Sequence, residues 1–221
     1  MSDLRETVVR WQRGWSVARS LPLAETVDGG LRSDCRQPTR DVEYLALDVD
    51  PATLAGLAGR VAAERTVTWL TVPTTDPDAT AAALEAAGLV LLQKSEAMMT
   101  IDLREHPRRE AAAGYRVETV RSGAVVTATV VHESGEMAAW GTAGLSGTDA
   151  VADRIETHAA HRRRGLASTV MGSLAAAAVA AGAEHGLLVA SVDGQIVYPR
   201  LGWRTIAHVL IATTPGRVAT D

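Results

Sequence analysis

Apolar positions along the chain alternate in short segments and recur with helical period in longer ones. Residues 3–19 place Val8, Trp11, Trp15 and Ala18 three and four apart, which predicts an amphipathic helix with a core-facing stripe. A loop rich in Gly and Asp around Asp28 leads to alternating segments at 31–35 and 42–47, the strands of a hairpin or meander. Asp50 and Pro51 then open a helix to about Glu64, with proline at the first helical position. Residues 68–72 predict a buried strand, 73–88 a loop, a capped helix and a glycine stop, and 90–103 a longer strand. The segment REHPRREAAAG, residues 104–114, is charged and then small, without apolar periodicity, and reads as a linker between two halves.

In the second half, strands at 115–120, 125–132 and 137–145 are joined by short turns at Ser122–Gly123 and Ser134–Gly135, the pattern of an antiparallel meander. A strand at 151–157, an arginine-rich turn and an alanine-rich helix from near Gly165 to about Ala181 follow. Gly182 and Gly186 end that helix and lead to an apolar strand at 187–190. A loop at Asp193–Gly194, a short helix through Tyr198, Gly202–Trp203 and a last strand to Ile211 complete the order, with PGRVATD a loose tail.

Composition narrows the class. At 221 residues the chain is long enough for one large domain or two small ones, each with a core. With 47 % hydrophobic and 22 % charged residues and a net charge of −4, it has the balance of a globular protein, and no basic face suits nucleic acid as a partner. The stretch MSDLRETVVRWQRGW is charged throughout, which is neither a signal peptide nor a membrane span. The single cysteine, Cys35, allows no intramolecular disulfide, fits a reducing cytoplasmic setting, and has no local partner motif that would make it a nucleophile.

The chemistry concentrates at residues 153–168, DRIETHAAHRRRGLAS. A strand, a turn and a helix start in that order bring free backbone N–H groups and the positive end of a helix dipole to one point, which suits a phosphate-bearing ligand. Neither GxxxxGK[ST] nor a GxGxxG after a strand is present. Arg162-Arg163-Arg164-Gly165-Leu166-Ala167 instead forms an Arg-x-x-Gly-x-Ala signature, with Thr157 ending the strand five residues earlier. This resembles the pyrophosphate loop, [QR]-x-x-G-x-[GA], of the GNAT superfamily of acyl-CoA N-acyltransferases. Downstream, Tyr198-Pro-Arg-Leu-Gly202-Trp203 is similar to that family's Tyr-x-x-x-Gly-[Phe/Trp] signature, and the resemblance covers roughly residues 115–211.

The resemblance implies an α/β fold of the GNAT type, a mixed and mostly antiparallel sheet flanked by helices. It also implies acetyl-CoA as donor, no metal, and transfer of the acetyl group to a primary amine by direct attack in a ternary complex. The main chain of Ile155, Glu156 and Thr157 would pair with the pantetheine arm. Arg162, Arg163, Arg164, Gly165, Leu166, Ala167 and Ser168 would hold the phosphates, with Ser191 a further contact. Tyr198 becomes the general acid for the departing thiolate and Glu156 the base, directly or through a water, with His158 and His161 ranked below it as loop residues of the surface. Ala159 stands where the family often has Pro, and Ser191 where it often has Asn.

The larger departure is the pair of helices that the family inserts between its first two strands to wall the acceptor site: only the Ser122–Gly123 turn is there. The first half could fill the gap as a degenerate second copy. Its helix-Gly88-strand pattern parallels the one at Gly202, but DVDPATLAG, at 48–56, lacks the arginines and the Gly-x-Ala spacing. The division expected is 1–104 as a GNAT-like acceptor-side domain, 105–114 as linker and 115–221 as the acetyl-CoA-binding domain, with Trp69, Trp140 or Glu43 lining a cleft between them. Two other readings fit the same residues: a CoA-binding regulatory module without turnover, or an enzyme using another acyl-CoA in a biosynthetic pathway. Neither the acceptor nor the oligomeric state is marked in the sequence.

Overall fold

A computed structural model describes residues 3–37 and 39–216, so residues 217–221 of the expected tail lie outside the described residues. The first half runs α1 (Leu4–Ala18), β1 (Glu25–Val27), β2 (Gly30–Gln37), β3 (Arg40–Ala46), α2 (Pro51–Ala63), β4 (Thr68–Thr74), α3 (Pro77–Ala86) and β5 (Val90–Asp102). The second runs β6 (Tyr115–Ser122), β7 (Val125–His132), β8 (Met137–Ser146), β9 (Asp149–Thr157), α4 (Leu166–Ala180), β10 (His185–Ala190), α5 (Val192–Val197) and β11 (Arg204–Thr213). Each half therefore carries antiparallel strands, a helix crossing to a parallel strand, and then a helix and a final strand. No described helix is long and apolar enough to cross a membrane.

The eleven strands of the described residues form one sheet in the order β1-β2-β3-β4-β11-β5-β10-β9-β8-β7-β6. Among the described residues only β3–β4 and β9–β10 pair in parallel, which is where α2 and α4 make their crossovers. The final strands are exchanged. β11, from the second half, lies between β4 and β5, and β5, from the first, lies between β11 and β10. The halves are thus a division of the sequence that the sheet itself does not respect.

Alternation along the central strands separates the two faces. Leu70, Val72 and Leu210 pack with α2, whereas Met99, Ile101 and Leu188 pack with Met171 and Ala175 of α4. On the opposite face, Val8, Trp11 and Trp15 of α1 join Leu31, Leu45, Met98, Val151, Leu187 and Val209, residues drawn from both halves. The helical stripe read from the sequence is therefore core-facing.

Two bidentate Arg–Asp pairs set the direction of α1, Arg10 with Asp149 and Arg19 with Asp153. Nine helical residues at ~1.5 Å rise and four strand residues at ~3.3 Å both span roughly 13 Å. The helix accordingly lies along β9 and carries Trp15 and Arg19 toward its C-terminal end. Contact is close because of two glycines: a Cβ on Gly144 of β8 would fall 2.0 Å from the Gly14 carbonyl oxygen. Gly144→Val should push α1 off the sheet, lowering stability by about 3 kcal/mol. Urea unfolding followed by tryptophan fluorescence should show a lower midpoint, and an unchanged midpoint would contradict this packing.

Candidate functional site

The strands β9 and β10 pair at Asp149–His185, Ala150–Gly186 and Val151–Leu187 and then separate, leaving residues 152–157 and 188–190 without a ladder between them. The wedge so formed exposes unpaired main-chain groups on two facing strands, an arrangement able to receive one extended chain between them. Arg154, at φ 52°, marks a bulge in β9 where the register against β8 shifts between Trp140 and Thr142. Ile155, Glu156 and Thr157 follow it along the wedge.

At the open end the chain turns through His158–Arg164 into α4. Gly165 is the N-cap residue at φ 76°, and no side chain caps the helix. The first intrahelical bond is Thr169 N–H to the Gly165 carbonyl, so the N–H groups of Gly165, Leu166, Ala167 and Ser168 have no acceptor among the described residues. Arg163, at φ 63°, and Gly165 both take left-handed conformations that bend the turn over the helix start. The corresponding helix of the first half differs. Asp50 accepts from Ala52 N–H at 3.1 Å and Thr53 N–H at 3.0 Å, and the Thr53 bond holds its carboxyl below the usual range. A carboxylate already stands where a phosphate would bind, so that half has no open anion site at α2.

Three placements add to the sequence reading. Arg109, from the expected linker, brings Nη1 to 3.9 Å from where a Cβ would stand on Gly165. The linker lies across α4, where Gly172 admits the main chain of Pro107 and Arg109 and Thr169 donates its hydroxyl to the Glu110 carbonyl at 3.5 Å. The expectation of a surface His161 is corrected: it is buried, its Nδ1 2.9 Å from the Tyr115 hydroxyl and its Nε2 3.3 Å from Glu136, so it braces the turn against β6. Asp153 was not singled out, though an acidic residue on the strand before the turn was the available signal.

Tyr198 follows α5 and is 9 % exposed, packed with Ala190, Leu201 and Trp203. Burial, and secondarily the charge of Asp153, push its hydroxyl up to about 12, so it stays protonated at neutral pH. Ser191 is exposed and spends its hydroxyl capping α5 at Gly194 N–H, 3.3 Å. Glu156 is exposed opposite Trp140 on β8. Cys35 is buried and its thiol pushed up to about 12 by burial first, which suits a structural role.

The lining residues expected of the cleft divide. Glu43 and Trp69 come together beside the C-terminal end of α1, where Arg40 binds Glu43 at 2.7 Å and stacks over Trp69 at 4.7 Å and Trp15 at 5.2 Å. Trp140 stays apart, on β8 beyond the wedge.

Sheet order, the wedge and the uncapped helix define a class: the chain has the GNAT fold. No protein-family model matches the sequence, and no curated protein resembles it in sequence. The likeness is one of structure. A GCN5-related N-acetyltransferase from Kribbella flavida is 16 % identical, with 98 % of this chain and 97 % of that one aligned at a TM-score of 0.71. A tandem GNAT protein from the clavulanic acid biosynthesis pathway, in its form without acetyl-CoA, aligns over 87 % of this chain and 80 % of its own at 15 % identity and a TM-score of 0.60. A GCN5-related N-acetyltransferase from Sphaerobacter thermophilus aligns over 83 % and 76 % at 12 % identity and a TM-score of 0.60.

Proposed function

We propose that the second half binds an acyl-CoA, with acetyl-CoA the first donor to test, and transfers the acyl group to a primary amine by direct attack. The observation that carries this reading is the wedge between β9 and β10 opening onto the uncapped start of α4. The N–H groups of Gly165 to Ser168 hold the diphosphate, and the guanidinium groups of Arg162, Arg163, Arg164 and Arg109 supply countercharge. The main chain of Ile155, Glu156 and Thr157 pairs with the pantetheine arm, and Ser191 flanks it from β10. Bound there, the coenzyme supplies an activated acyl group next to the protein's own acid and base.

Tyr198 is the acid. Its protonated hydroxyl can give a proton to the sulfur as the carbon–sulfur bond breaks. Glu156 on β9 is the carboxylate that the resemblance implies as base for the amine's proton, directly or through a water. Cys35 is not placed to form a covalent intermediate, since its thiol is buried and pushed up to about 12.

The test is titration calorimetry with acetyl-CoA, followed by thiol release with acetyl-, propionyl- and malonyl-CoA against a panel of primary amines. Binding with turnover supports the reading. Binding without turnover on any amine would favour a CoA-responsive regulatory module, and absence of binding would remove the site assignment altogether.

A further inference from the structure

The exchange of β5 and β11 brings a first-half carboxylate to the second half's wedge. Ala97 of β5 pairs with Ala190 of β10, and Met98 with Val189, so Glu96 stands level with Ser191, at the end of β10. Its other neighbour across the sheet is Val209 of β11, which with Met98 belongs to the α1 face. Glu96 thus sits on the α1 face, beside the C-terminal end of β10 and one strand away from the wedge.

Two carboxylates lie on this face, Glu43 on β3 and Glu96 on β5 with β4 and β11 between them, in different surroundings. Glu43 is saturated: Arg40 binds it at 2.7 Å, the Thr71 hydroxyl donates to it, and the Cys35 thiol lies at 3.8 Å. Glu96 is half-buried and has no hydrogen bond or ion pair among the described residues. Its carboxyl is raised by burial first and by the Glu43 charge next, while Arg40 opposes them. The wall also keeps an unspent donor: Arg40 is 8 % exposed, and its Nε–H finds no acceptor among the described residues. A buried donor left open points to a polar ligand at this wall, beyond a closed structural cluster.

We propose that Glu96 receives the ammonium group of the acceptor and takes its first proton, making the acceptor a cationic primary amine bound on the first half's exchanged strand. This rests on the acyl-transfer reading. The ammonium gives one proton to the Glu96 carboxylate, and the freed lone pair forms the carbon–nitrogen bond at the thioester carbonyl. The carbon–sulfur bond then breaks, sulfur takes the proton of Tyr198, and Tyr198 regains one from the nitrogen. Glu156, exposed across the wedge, is then the relay that returns the Glu96 proton to solvent through water, in place of taking it from the amine directly.

The experiment compares the parent protein, Glu96→Gln and Glu156→Gln with acetyl-CoA, using ethylamine and ethanolamine as cationic acceptors and hydroxylamine as one that is neutral at pH 7. In Glu96→Gln, kcat/KM for the two amines should fall about 100-fold at pH 7. The deficit should shrink as pH rises and the amines deprotonate unaided, while hydroxylamine turnover and calorimetric acetyl-CoA affinity stay within about twofold of the parent. The proposal is overturned if Glu96→Gln keeps its amine rates, if Glu156→Gln alone loses them, if hydroxylamine turnover falls as far as amine turnover, or if the parent accepts hydroxylamine but neither amine. A parent that binds no acetyl-CoA, or releases no thiol with any nucleophile, instead defeats the acyl-transfer reading and Glu96 with it.

Discussion

Gly165→Glu should lower acetyl-CoA affinity by about 1,000-fold. A carboxylate at this position stands beside the open N–H groups of residues 165–168 and repels the diphosphate that they would bind. One like-charge pair at about 4 Å near a protein surface costs about 4 kcal/mol, and about 4.1 kcal/mol corresponds to 1,000-fold in affinity. The new carboxylate also meets Arg109, whose Nη1 lies 3.9 Å from the added Cβ position, and so withdraws a countercharge. Backbone strain adds to the loss, because glycine at φ 76° becomes a side-chain-bearing residue there. Titration calorimetry reads the effect directly, with circular dichroism confirming that α4 still forms. Undiminished affinity in a folded variant would remove the phosphate site from this turn.

Tyr198→Phe should reduce kcat by about 1,000-fold while leaving acetyl-CoA affinity nearly unchanged. The ring stays in its packing against Leu201 and Trp203, so only the proton donor is lost, and a positioned acid is worth roughly 100- to 10,000-fold. The pH dependence has a definite sign. Burial raises the hydroxyl above its ordinary value, so the acid form persists as pH rises and is lost only on approaching about 12. An alkaline fall in kcat between pH 8 and 9 should therefore not arise from Tyr198, and Tyr198→Phe should leave any such fall in place. Rates within threefold of the parent would exclude Tyr198 as the acid.

Much of this arrangement was legible from the chain. Arg162 to Ala167 and Tyr198 to Trp203 are local signals, because an uncapped helix start behind a left-handed glycine is set by a few consecutive residues. The contrast with α2 was legible for the same reason, since Asp50 before Pro51 is a recognisable cap. What the chain did not disclose is non-local. Alternation in residues 90–102 shows that β5 has two faces, but nothing in QKSEAMM says that it will lie between β11 and β10. Glu96 carries no signal of its own in the sequence, and its place beside the end of β10 depends on a strand almost a hundred residues away. The partner of α1 was hidden similarly: Val8, Trp11 and Trp15 declare an apolar stripe without saying that β9 and both halves receive it. Arg109 was read as linker because its segment has no periodicity, whereas the small Gly172 side of α4 is what lets it pack.

The exchanged strands also govern how the chain can come apart. β5 is hydrogen-bonded on both edges to second-half strands, and β11 on both edges to first-half strands. Neither half closes its own sheet, so a protease cut between Arg108 and Arg109 should yield two fragments that remain clasped together and separate only on denaturation. Unfolding should likewise be a single concerted event. Assembly must wait for the last strand to be synthesised, since β11 completes a gap that opens at residue 74.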